Sequence, residues 1–236
     1  MAFTFIASAG NNDDSSGTTL GTTATLNLAT GDVVVAWHKW EGADTTVSCA
    51  KDTGSPANTH TLGTKINHGN GDLSGQFTYL LSATADTTAT FRQTLSASRP
   101  YRRLIVLQFR PDAGETVSLD VQNTGSGTSL TPTSGSITTT GTDEIVIGGY
   151  GEYSANSTSS ETIGGTAATE PAASPQGYSS AWYRILTGTM TGGTASGSIG
   201  STQDWVCNII AIKSVSAGGG TAVPVFYHHR TQQGLS

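Results

Sequence analysis

The chain has 236 residues, with 11 Lys and Arg against 17 Asp and Glu for a formal net charge of −6, and 12% of it is charged, where about 25% is usual for a soluble domain. That excludes a highly charged disordered chain. With Arg99, Arg102 and Arg103 as its one dense basic spot, it also argues against general affinity for nucleic-acid backbones or anionic membranes. Thr (39), Ser (27) and Gly (30) fill two-fifths of the positions; Thr suits a half-wet pleated surface and Gly and Ser populate turns, so the composition predicts an all-β protein with minimal helix.

In chain order the pattern predicts strands over 3–8, 24–29, 33–40, 45–50, 76–83, 88–95 and 103–110. Between the first two, Asn11-Asn-Asp-Asp-Ser-Ser-Gly lacks the alternating acids and terminal Glu of an EF-hand loop and reads as a turn rather than a calcium site. Val33-Val-Val-Ala-Trp37 and Leu104-Ile-Val-Leu107 are apolar on both faces, which predicts central strands. After Asp112-Ala-Gly-Glu115 the pattern resumes, with strands predicted over 117–122, 136–140, 144–150, 181–187, 194–199 and 205–213. A loop rich in Ser, Ala, Pro and Gly is expected over 153–178.

The second series repeats the first. Gly31-Asp32 and Thr142-Asp143 each precede the most apolar early strand of their half. Gln76-Phe-Thr-Tyr-Leu-Leu-Ser-Ala-Thr reads like Ala181-Trp-Tyr-Arg-Ile-Leu-Thr-Gly-Thr, and Arg103-Leu-Ile-Val-Leu-Gln-Phe like Trp205-Val-Cys-Asn-Ile-Ile-Ala-Ile. The expectation is a duplicated antiparallel β-sandwich, jelly-roll or Ig-like, of two pseudo-equivalent units of about 105 residues packed together. Unit one spans 1–113 and unit two 114–214. Residues 215–236 read as a Gly-rich linker and a C-terminal docking tail.

Gly31-Asp-Val-Val-Val-Ala-Trp, Phe77-Thr-Tyr-Leu-Leu, Tyr101-Arg-Arg-Leu-Ile-Val-Leu-Gln-Phe, Leu119-Asp-Val-Gln-Asn-Thr-Gly-Ser-Gly and Asp204-Trp-Val-Cys-Asn-Ile-Ile-Ala-Ile-Lys together resemble a duplicated β-sandwich module. Such modules occur in virion structural proteins of tailed phages and in large bacterial surface proteins. The resemblance covers about residues 3–214, rests on strand patterns rather than chemical signatures, and brings no catalytic residues with it. The N-terminus reads as lacking a secretory signal, which favours a virion component over a secreted adhesin.

The chemistry-bearing residues are few. Cys49 and Cys207 cannot build a disulfide framework or a four-Cys zinc site and read as buried free thiols. Adjacent His228 and His229 would point to opposite sides of an extended segment, so a docking role is preferred to a metal site there. In an added-strand mode Val223, Val225 and Tyr227 share a side, Phe226 and Tyr227 supply the anchors, and His228 and Arg230 complete the docking segment. Of the four tryptophans, Trp37, Trp182 and Trp205 fall in predicted core strands. Trp40, beside His38 and with Asn67 nearby, is the one ring expected to be exposed and able to contact a glycan. No nucleophile elbow, phosphate loop or carboxylate pair stands out.

The expected function is therefore a non-enzymatic phage virion protein without cofactor or metal, foremost a capsid decoration (cement) protein assembled in the host cytoplasm. Its expected partner is the major capsid protein or another virion protein, with homo-oligomers, trimers among them, implied by the resemblance. The alternative is a carbohydrate- or receptor-binding module of a tail or head fibre.

Overall fold

A computed structural model describes residues 3–42, 47–52, 57–153, 158–174 and 176–216. Among these residues there is no helix, and the strands are β1 (Phe3–Asp13), β2 (Gly17–Gly21), β3 (Leu26–Leu28), β4 (Val33–Glu41), β5 (Val47–Lys51), β6 (Thr61–Asn67), β7 (Leu73–Leu80), β8 (Asp86–Ala89) and β9 (Phe91–Arg99). They continue with β10 (Arg102–Pro111), β11 (Glu115–Ser129), β12 (Asp143–Glu152), β13 (Ser159–Ile163), β14 (Thr166–Ala167), β15 (Ser179–Leu186), β16 (Ala195–Ser198) and β17 (Gln203–Ser216).

The protein is an all-β antiparallel sandwich in four layers. Two large sheets, ordered β1-β10-β4-β7-β6 and β11-β17-β12-β15, face each other at the centre. In each sheet the first four strands stand in the same relative chain order: the earliest, the latest, the second and the third of the four. The outer face of the first sheet is covered by β2-β9-β5 and β3-β8, and that of the second by β14-β13-β16.

This layering follows from the apolar runs. In β4, Val33, Val35 and Trp37 enter the central core while Val34 and Ala36 enter the outer one; in β10, Ile105, Leu107 and Phe109 go inward and Leu104 and Val106 outward. β12 and β17 divide likewise, Ile145, Ile147, Val206, Ile210 and Ile212 against Val146, Cys207, Ile209 and Ala211. A strand apolar on both faces must be covered on both, and four such strands call for four layers.

Asp32, the acid before β4, accepts from the Ala29 backbone N–H (2.8 Å), Gln108 Nε2 (2.6 Å), and Arg110 Nε (2.7 Å) and Nη2 (2.9 Å). One buried carboxylate thus ties the entry of β4 to the exit of β10. Asp32→Ala is expected to lower stability by about 2 kcal/mol, because charge-assisted bonds are lost and the Ala29 donor is stranded; urea midpoints measure it.

Several expectations change. β1 runs on through Asn11–Asp13, so the turn begins three residues later, at Asp14, and Asp13 and Asp14 pair with Arg102 and Arg103 rather than framing a loop. The strand at 24–29 shortens to Leu26–Leu28. Residues 136–140 form no strand. Ile137 makes one isolated bridge to Gly193, while Asn123 and Asp120 side chains bond the Ser136 carbonyl and Thr140 N–H. β2, β6, and β13 and β14 inside the expected loop, are additional strands. β17 continues to Ser216, past the boundary drawn at 214.

Candidate functional site

Trp40, His38 and Asn67 are brought to one face of one sheet, since β4 pairs Trp40 with Ser74 and β6 pairs Asn67 with Ser74. That face is covered. Trp40 is fully buried against Val47 and Leu95, and His38 is fully buried as well. The expectation of an exposed ring is corrected: the outer layer closes over the face of β4 that carries Trp40, so a Trp at its end packs inside. Asn67 is half-buried and accepts from Ser74 Oγ (2.8 Å).

His38 instead belongs to a buried relay. Its Nε2 and His60 Nδ1 each lie 2.9 Å from Thr78 Oγ1. The single hydroxyl proton serves one imidazole while the other ring must donate, which suits two neutral rings. Burial holds both pKa values down at about 3, His38 being further depressed by His60. The same burial pushes the Cys49 thiol up to about 12 and Cys207 upward as well; both are free and buried, as expected. Neither has the thiolate character of a reactive cysteine.

A second polar cluster sits between the halves. Lys39 Nζ lies 3.4 Å from Glu41 Oε1 and over the rings of Tyr101 (5.8 Å) and Tyr178 (5.6 Å), whose second face partner is the Arg103 guanidinium at 4.9 Å. Lys39, Arg103 and Glu152 are all buried. Desolvation lowers the Lys39 pKa to about 8 against the pull of Glu41. Tyr101 reaches this position from a left-handed backbone (φ 49°) at the β9–β10 turn. Of the basic spot seen in the sequence, Arg103 is taken up here and by Asp14, and Arg102 by Asp13 and the Ser15 and Thr19 carbonyls, which makes both structural cations.

A concavity of about 710 Å³ lies at the junction of the halves and is lined by Asp32, Leu81, Arg110, Asp112, Glu115 and Thr116 among others. Its buried acid is already held by Arg110.

A third cluster, His68, Asp72 and Asp204, was not anticipated. The chain reverses between β6 and β7 over Gly69, Asn70 and Gly71, with Gly71 in the left-handed region (φ 71°) and its N–H on the His68 carbonyl (2.8 Å). This sets His68 Nδ1 3.3 Å from Asp72 Oδ1, while Nε2 lies 3.7 Å from Asp204 Oδ1 at the start of β17. Thr128 Oγ1 donates to the same Asp204 oxygen (2.5 Å). His-Gly-Asn-Gly-Asp is a visible turn signal, yet its partner acid lies in the other half of the sequence.

Val223, Val225, Phe226, Tyr227, His228 and Arg230 lie outside the described residues.

No family model matches the sequence, and no curated protein matches it. Among solved structures, the crystal structure of the PBSX exported protein XepA is similar at 10% identity over 89% of this chain and 86% of that one, with a TM-score of 0.21. A superposition that loose carries no argument about this chain.

Proposed function

We propose that this chain is a non-enzymatic structural component of a tailed-phage virion, specifically a capsid decoration protein seated on the capsid exterior. The observation that supports it best is the shared core. Side chains from both central sheets pack into one apolar cluster, from Phe3, Trp37 and Phe77 in one half to Ile147, Val206 and Ile210 in the other. The halves therefore make one stiff body, suited to bearing load on a particle surface. The common strand order of the central sheets supports reading that body as a duplicated module of the kind the sequence resembles.

The partner is the major capsid protein or another virion protein, engaged by the segment after Ser216, with Phe226 and Tyr227 as its apolar anchors. Further copies of the chain, as trimers, would complete the assembly. The glycan-binding alternative is not carried forward, because the ring that supported it is buried.

Because Glu115 still pairs with Ser216, the clean cut falls after Ser216. Deleting 217–236 is expected to leave the melting temperature within about 2 °C of the full chain and to abolish incorporation into particles. Undiminished incorporation would reject the tail as anchor, and absence of the full-length chain from purified particles would reject the virion assignment itself.

A further inference from the structure

We propose that His68, Asp72 and Asp204 form a binding site for one divalent transition-metal ion of the zinc class, joining the β6–β7 hairpin of the first half to β17 of the second. One ligand atom from each residue lies within 4.8 Å of the other two. On a tetrahedral zinc with bonds of about 2.0–2.2 Å, ligand atoms stand about 3.3–3.6 Å apart, so the three need to draw together by no more than about 1.5 Å. The set therefore spans one coordination sphere with small side-chain adjustments. The 3.3 Å between His68 Nδ1 and Asp72 Oδ1 is already the spacing of two neighbouring ligands on zinc.

The charge pattern points the same way. Asp13, Asp14, Asp32, Asp52, Asp86 and Asp120 each pair with a Lys or Arg. Asp72 and Asp204 have no Lys or Arg partner among the described residues, and what sets them apart is that both pair with the same imidazole, His68. Two carboxylates thus flank an imidazole that is 8% exposed, Asp72 at Nδ1 and Asp204 at Nε2, and a single ion would take one of the two nitrogens. A bound dication would neutralise both acids, and the half-exposed carboxylates leave room for water to complete its shell.

The imidazole selects the ion. A nitrogen donor favours zinc, copper, nickel or iron, whereas calcium and magnesium prefer oxygen throughout. Thr128, donating to Asp204 Oδ1, is the outer contact that orients a ligating carboxylate. Because the ligands come from both central sheets, the bound ion acts as a clip, and it stabilises the folded chain by mass action.

The test is titration of the EDTA-treated, dialysed full-length protein with zinc chloride by calorimetry, with thermal melts in zinc, manganese or calcium. One zinc per chain is expected, with a rise in melting temperature of about 5–10 °C at a hundredfold excess over Kd and a much smaller rise with calcium. His68→Gln and Asp204→Asn should each weaken binding at least tenfold, with unchanged circular dichroism showing that the fold persists; two separate variants guard against one failing to fold. Full zinc affinity in both variants, or its loss only when His228 and His229 are both replaced by Ala, would place the site elsewhere and overturn the proposal. So would the absence of any zinc-dependent heat or shift, which would leave the three residues as an ion bridge.

Discussion

Trp37→Ala is expected to cost about 4 kcal/mol and to unfold both halves of the chain in one transition. Trp37 is fully buried at the centre of the interface between the two large sheets, its ring 4.9 Å from that of Phe77. Its Nε1 donates across the interface to the Tyr150 carbonyl (3.0 Å) and Ser179 Oγ (2.8 Å), both in the second half. Two glycines make the room. A Cβ on Gly75 would overlap the Trp37 ring from its own sheet, and one on Gly149 would come within 2.6 Å of it from the opposite sheet. Truncation therefore opens a cavity that backbone on either side is too constrained to fill, and it removes the donor that the Tyr150 carbonyl and Ser179 share.

The magnitude fits an aromatic-to-Ala change in a core that cannot collapse, and for a chain of this size it corresponds to a drop in melting temperature of about 10 °C. The cooperativity is the sharper part of the prediction. If each half were an independent sandwich, β12 and β17 would keep their stability when β4 loses its ring. Because Ile145, Ile147, Val206 and Ile210 pack into the same cluster as Trp37, amide exchange should accelerate in both halves together. A calorimetric trace in which part of the heat stays at the wild-type temperature would refute the shared core.

How far the sequence discloses this arrangement depends on where each strand's neighbours lie. The runs at 33–37, 104–107, 144–148 and 205–213 are legible because strands buried on both faces carry apolar residues continuously. β6, Thr61–Asn67, carries Gly and Lys at a sheet edge where most of its side chains meet solvent, so no burial pattern marks it. Trp40 misleads for the opposite reason. A His and a Lys beside it suggest a wet strand end, yet His38 is buried on Thr78 and Lys39 on Glu41 and two tyrosines, and nothing local announces the covering layer. The arginines at 102 and 103 look like a basic patch until β1 is laid beside β10, which puts Asp13 and Asp14 within reach. The His68 cluster is hidden in the same way, since its third member arrives with β17. Local propensity thus reveals the central layers, and pairing at long range decides which charges remain free.

Acidification should destabilise the wild-type protein by up to about 1.4 kcal/mol per pH unit between pH 6.5 and 4.5, and two substitutions should move that slope in opposite directions. His38 and His60 are held near pKa 3 by burial against an ordinary value of 6.5. In this window the unfolded chain therefore binds about two protons that the folded one refuses, and stability is lost as pH falls. Glu144 works against them. It is buried, and desolvation raises its pKa to about 7 despite the Gly141 N–H that it accepts, with Asp120 pushing it further up. The folded chain thus holds one proton that the unfolded one releases, and that contribution, fully present below pH 4.5, is lost as pH rises through 7. Two protons against one leaves a net uptake of at most about one on unfolding, since burial also raises the Glu41 and Glu170 carboxyls. Glu144→Gln mimics the protonated acid and can still accept from Gly141, so it removes the opposing proton and should steepen the slope by about 1.4 kcal/mol per pH unit. His60→Gln can still meet the Thr78 hydroxyl and should flatten the slope by about as much. Urea midpoints of the three proteins across this range measure the slopes, and an E144Q slope equal to that of the wild type would mean that Glu144 is ionised in the folded chain.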